Sequence, residues 1–318
     1  QDGRFNFKVA EEEVDLRVSS LPTVFGEKIV MRLLRKSGGV PTLADLGLGG
    51  TSLRTLEAAM LRPHGIILVC GPTGSGKTTT LYAVLSKLNT TRVNILTLED
   101  PVEYQIPGAN QVQINDDVGL TFATGLRAFL RQDPNIILVG EIRDKETTEL
   151  AIQASLTGHL VFSTLHTDSA SGALPRLIDM GAETFLLAST INATMGQRIA
   201  RKICSHCKIE YTPPPEIIEE MRKVLGTLMP KGSGAPIKLF KGSGCEVCGH
   251  SGFLGRVGIY EVMAISEGIA KLILERKDSS TIEAKAKEEG MITMKQDGYL
   301  KVLSGVTTID EILRVAQE

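Results

Sequence analysis

Gly71-Pro72-Thr73-Gly74-Ser75-Gly76-Lys77-Thr78 is the run whose residue types and spacing most directly specify chemistry. It fits G-x-x-x-x-G-K-[ST], with an apolar stretch, Gly65–Cys70, before it and a helical pattern from Lys77 to Leu88 after it. Glycines let successive backbone N–H groups converge on phosphate oxygens, and a helix N-terminus adds its partial positive charge. In such a loop Lys77 reaches the β- and γ-phosphates of ATP and the Thr78 hydroxyl ligates Mg²⁺. Thr79 completes the expected nucleotide-binding set. A chance glycine-rich turn is the competing reading, and the strand before and helix after disfavour it.

A phosphate loop that turns ATP over needs carboxylates to hold the metal shell and polarise water. Two clusters offer them. One is Glu99-Asp100-Pro101-Val102-Glu103, at the end of a strand read over Val93–Leu98. The other is Glu141, which follows the apolar run Ile136-Ile137-Leu138-Val139 and Gly140. Carboxyl ends of parallel strands are where ligands bind. The second segment has the form of a Walker B strand with Gly140 where an Asp usually precedes the Glu. Read alone, each cluster is equally a solvated turn; beside a phosphate loop both become candidates, with Glu141 favoured to activate water and Glu103 in support. His159 and His166 bracket Leu160–Leu165 and are candidates for γ-phosphate or interface contacts, against a purely structural role.

Four of the five cysteines form two C-x-x-C pairs, Cys204/Cys207 and Cys245/Cys248. Four thiolates suit a closed, tetrahedral, structural Zn²⁺, and the alternative is free or redox thiols. His206 and His250 lie near enough to substitute as ligands, but four cysteines suffice. Cys70 ends an apolar strand and reads as a core residue.

The elements that must position these groups follow from periodicity. Residues 1–35 alternate in the manner of three antiparallel strands, too few for an independent core. Residues 36–50 read as a linker into a short helix. From about 52, strands alternate with helices at Thr121–Arg131 and Glu146–Ser155, which argues for a parallel sheet covered on both faces. Residues 200–258 break that rhythm with the cysteines, Pro213–Pro215 and a Gly232–Gly234 loop. The last 60 residues read as short amphipathic helices such as Ile269–Glu275 and Ile309–Ala316.

The net charge of −2 argues against bulk electrostatic attraction to nucleic acid or anionic lipid, local patches aside, and the absence of Trp with little other aromatic content argues against base-stacking platforms. No apolar run approaches the roughly 20 residues of a membrane span. The chain begins at Gln1 with no signal-peptide pattern, and reads as a fragment of a longer protein.

The motifs and their order resemble the ATPases of type II secretion and type IV pilus assembly. Gly71–Thr78, Glu99–Glu103, Arg131-Gln132-Asp133-Pro134 through Gly140-Glu141-Ile142-Arg143-Asp144, and Leu156-Thr157-Gly158-His159 through His166-Thr167 match that family's Walker A, Asp box, Walker B and His box. Val14–Ser19 and Gly26–Arg32 resemble the second half of its N-terminal PAS-like domain. The resemblance implies an α/β fold with a RecA-like P-loop NTPase core. To this are added a partial α+β PAS-like domain, a zinc-knuckle insert and a helical C-terminal tail. The corresponding boundaries are 1–36, a linker over 37–50, then 51–200, 201–258 and 259–318. It implies that Arg17 and Arg32, with Arg4 less defined, reach the nucleotide; without it they read as surface arginines.

It further implies a homo-hexamer in the bacterial cytoplasm. That ring docks at the inner membrane through a platform protein and a cytoplasmic docking protein, with no direct membrane or nucleic-acid binding. Gly258–Met263 favours pilus assembly over type II secretion, and a nucleic-acid translocase is the alternative of another class.

Overall fold

The computed structural model describes residues 2–9, 12–35, 39–230 and 237–316. Gln1 and the Gly232–Gly234 loop lie outside them. The chain opens with β1 (Asp2–Val9), β2 (Glu12–Thr23) and β3 (Gly26–Arg35), paired antiparallel in that order. Arg17 stands directly opposite Arg32, and Arg4 occupies the same register row on β1. Period-two alternation turns the neighbouring apolar residues to the other face. There Val14 and Leu16 are buried, while Phe5, Ile29, Met31 and Leu33 are each more than half exposed.

The main sheet contains β4 (Gly65–Cys70), β5 (Ile95–Glu99), β6 (Ala109–Gln113), β7 (Ile136–Val139), β8 (Leu160–Leu165), β9 (Ile191–Ile203) and a last strand, Phe253–Ala264. Between the last two runs a small hairpin of β10 (Lys208–Tyr211) and β11 (Leu239–Gly242), so Phe253–Ala264 is β12. The order is β12-β9-β4-β8-β7-β5-β6. The first six strands run parallel, and β12 pairs antiparallel with β9.

Alternation along β4 builds two cores. Ile67 and Val69 pack with Leu56 and Met60 of α1 (Gly50–Met60) and with Leu81 and Leu85 of α2 (Lys77–Leu88). Ile66 and Leu68 face the opposite layer. That layer is built by α3 (Phe122–Phe129), α4 (Lys145–Leu156), α5 (Ala173–Asp179) and α6 (Thr184–Thr190). A third core gathers α7 (Pro215–Leu225) with two late helices. Of the helices after β12, α8 (Glu267–Leu274) and α9 (Ser279–Glu288) join the second core, whereas α10 (Met294–Leu303) and α11 (Ile309–Ala316) join the third.

The ribbon of β9 and β12 differs from the sequence reading, which placed boundaries at 200 and 258. Both strands run through those positions. Ile191–Arg198 and Val257–Met263 are buried without a break, so neither stretch shows the alternation that marks a half-buried strand. Among the described residues, no helix is long and apolar enough to cross a membrane.

Candidate nucleotide site and cysteine knuckle

The phosphate loop leaves the carboxyl end of β4 and enters α2. Gly76 has φ 83° and caps α2. A Cβ there would lie 3.0 Å from both Gln197 Nε2 and Ile199 Cδ1, so glycine is required by backbone and by space. Lys77 is buried and folds back on the loop, donating to the carbonyls of Gly71 at 2.8 Å and Pro72 at 3.0 Å. Burial draws its ammonium below the ordinary lysine value, and the nearby Glu141 carboxylate opposes that. Ser75 Oγ is buried with no partner among the described residues. An orphaned hydroxyl and a cation held only by carbonyls, on a loop at a helix N-terminus, fit a polyphosphate. Thr78 is exposed one residue on, and Thr79 is half-buried.

Sheet order places the other groups. β8 lies next to β4 and β7 next to β8, all parallel, so their carboxyl ends carry His166 and Glu141 to the same edge. Glu141 is largely buried and is held by Arg143 and by His166 Nε2 at 3.1 Å. Gly140 explains its own identity. Its N–H donates to Leu98 O at 2.8 Å, and a Cβ there would lie 3.1 Å from that same oxygen. An Asp at 140 would have to push β5 away. The loop after β8 is clamped at Ala170, whose N–H donates to buried Glu261 at 2.7 Å and whose carbonyl accepts from Thr194 at 2.8 Å.

His159 is placed elsewhere. It precedes β8, whose Leu160 pairs with Gly65 at the start of β4. At about 3.3 Å per residue it lies roughly 20 Å from His166, at the opposite end of the sheet. Its ring contacts Ala154 O at 2.7 Å and Thr157 Oγ1 at 3.0 Å, closing the end of α4. Within this chain the His159 ring therefore makes a helix-end contact, at the end of β8 away from the phosphate loop.

The cluster after β5 divides. Glu99 is buried and turned inward: its carboxylate accepts from Tyr82 Oη, from Thr97 Oγ1 at 2.5 Å and from Gln111 Nε2 at 3.2 Å. These donors satisfy it, so within this chain it organises the turn rather than reaching the loop. Asp100 is exposed. Glu103 meets the N-terminal sheet: Arg17 Nη2 lies 3.0 Å from Glu103 Oε2, and the same guanidinium donates to Val102 O at 3.3 Å. Arg17 and Arg32 line one cavity of about 490 Å³ together with Pro101 and Gln113. The two arginines are thus brought to the acidic turn, Arg17 in contact and Arg32 beside it.

Two residues of the site escape sequence reasoning. Gln197 Nε2 donates to Ser75 O at 2.7 Å inside the phosphate loop. A polar residue on the buried face shared by Ala193 and Met195 was its only local signal. Tyr82 has none, since its partners lie on β5 and the loop beyond.

The four cysteines converge across 44 residues of sequence. Their sulfur atoms all lie within 4.8 Å of one another. The N–H groups of Cys245 and Gly252 donate to Cys248 Sγ at 3.2 and 3.3 Å. Burial raises the cost of the Cys248 thiolate, yet these N–H donors together with the neighbouring Cys245 and Cys207 thiols outweigh it and bring its pKa down to about 6. Four sulfurs at this spacing, one already stabilised as thiolate, fit a four-coordinate Zn²⁺ with no open position. Cys70 is fully buried, and its thiol is pushed up to about 12 by that burial. It is a core residue.

Comparisons with known proteins place the fold among related ATPases. The family described as "Type II/IV secretion system protein" matches residues 1–314. The "Type IV pilus assembly ATPase PilB" of Thermus thermophilus is 46% identical over 313 residues, covering 98% of this chain and 34% of that protein. "Type II secretion system protein E" of Pseudomonas aeruginosa is 48% identical over 318 residues, covering 100% of this chain and 62% of that one. The chain thus spans between about a third and three fifths of these relatives. The crystal structure of the pilus retraction motor PilT with bound ADP aligns with a TM-score of 0.69 and 28% identity, over 98% of this chain and 77% of that one. The Legionella pneumophila ATPase DotB shares the RecA-like fold, with a TM-score of 0.69 at 22% identity over 99% of this chain and 76% of that one. By sequence and fold, the chain belongs to the type II/IV secretion system protein family.

Proposed function

We propose that this chain is the ATP-hydrolysing core of a hexameric motor that drives type IV pilus assembly at the cytoplasmic face of a bacterial inner membrane. The observation that carries the reading is the convergence of Lys77, Glu141 and His166 on one edge of the sheet, with the Arg17–Glu103 contact beside it. Lys77 exchanges its loop carbonyls for the β- and γ-phosphates. Glu141, oriented by His166, positions the attacking water and takes its proton. Mg²⁺, when bound, would be held through Thr78 and would supply charge neutralisation on the phosphates. Arg17, with Arg32 behind it, stabilises negative charge when the N-terminal sheet closes over the nucleotide. Zn²⁺ at Cys204, Cys207, Cys245 and Cys248 is structural. The ring works through an inner-membrane platform protein and a cytoplasmic docking protein.

A type II secretion motor is the second reading, favoured by the 48% identity to a protein of that name over the whole chain. Deleting the gene in the host separates the two. The pilus reading expects loss of surface pili with exoprotein release intact. Retained pili with blocked release would replace it with the secretion reading. DNA-stimulated turnover of the purified full-length protein would overturn both.

A further inference from the structure

We propose that Tyr82 is a positioning residue that couples the phosphate loop to the acidic turn and, through it, to the N-terminal sheet. The inference rests on the ATPase reading above and deepens it. Tyr82 lies on α2, the helix that begins at Lys77, and its ring is fully buried. Its hydroxyl fills every valence: it donates to Glu99, and accepts from the Glu103 backbone N–H at 3.2 Å and from Gln111 Nε2 at 3.4 Å. Tyr104 packs edge-on against the ring, with centroids 4.5 Å apart. The hydroxyl is therefore the point where the phosphate-loop helix, the end of β5 and the turn that carries Glu103 meet. Glu103 in turn holds Arg17.

The physical consequence is directional. A shift of α2 on phosphate binding moves the Tyr82 hydroxyl, and the Glu103 N–H follows it because it has a fixed partner there. Arg17 then moves with Glu103. Buried polar networks of this kind hold one geometry while fully satisfied and lose it when one member is removed.

Tyr82→Phe in the full-length protein tests this, since it keeps the ring contact with Tyr104 and removes only the bridge. The expected result is a kcat lower by up to about tenfold, no more than removal of Arg17 itself would cost. Affinity for a fluorescent ATP analogue stays within about threefold, because Lys77 and the loop are untouched. The drop is also non-additive with Arg17→Ala: the double variant falls no further than the lower single one, as expected of residues acting in one chain of contacts.

Gln111→Met loosens the same turn from its other side and gives a smaller drop in kcat at unchanged affinity, which decides the matter should Tyr82→Phe not fold. Wild-type kcat in these variants, an additive double variant, or a loss of affinity that accounts for the change overturns the inference. Failure of the ATPase reading shows differently: the wild type itself would not turn over.

Discussion

The acidic turns after β5 and β7 stand at the same edge of one sheet, two strands and one strand from β8, yet they use their carboxylates in opposite ways. Glu141 keeps its side chain at the phosphate-loop edge, held by one arginine and one histidine that nucleotide binding can displace. Glu99 is locked inward by three donors, and Glu103 is engaged by Arg17 from another sheet. Strand-end placement brings a carboxylate near the chemistry; its hydrogen-bond partners decide whether it is free to do any. In the function proposed above, the first turn is a structural relay and the second is the reactive one.

The largest effect expected from this contrast is at the shared loop. Lys77→Ala removes the cation expected on the β- and γ-phosphates, and phosphate release should fall by at least about 10³-fold. Glu141→Gln keeps the shape of the second turn and removes its basicity, lowering kcat by about 10²- to 10³-fold with nucleotide still bound. Equilibrium binding of an ATP analogue to that variant checks the second half. Arg17→Ala strikes the first turn from outside, and the relay expects a smaller loss, about tenfold in kcat; a loss equal to that of Glu141→Gln would erase the distinction between the turns.

Much of this site was legible in the sequence because its signals are local. Eight consecutive residues specify the phosphate loop, and Gly140-Glu141 sits directly after a four-residue apolar strand. The cysteine pairs were legible for the same reason, although their meeting across 44 residues was an inference from ligand chemistry. What could not be read depends on sheet order. Tyr82 meets Glu99 and Glu103 across 17 and 21 residues, and Gln197 meets Ser75 across 122. Nothing near them in sequence marks those partners. His159 and His166 bracket one strand in sequence, and that extended strand sets them apart by the full depth of the sheet. The β9–β12 ribbon was obscured by its own burial on both faces.

The smallest effect on chemistry, and the largest on stability, is expected at the cysteine knuckle, which sits beyond β9 and away from both turns. Cys204→Ser, or removal of zinc with a chelator, should lower the melting temperature by several degrees, as loss of a structural metal does. Below the new transition, turnover per folded molecule should stay within about twofold. A large loss of kcat at full folding would mean that the knuckle is wired to the site.

The measurement that bears most directly on the central claim is steady-state phosphate release from MgATP by the full-length protein, wild type against Glu141→Gln, with analogue binding measured in parallel. Robust turnover is expected in the wild type, and in the variant intact binding with turnover reduced by about 10²-fold or more. Equal turnover in the two proteins would contradict it, because the reactive carboxylate would then lie outside the turn after β7.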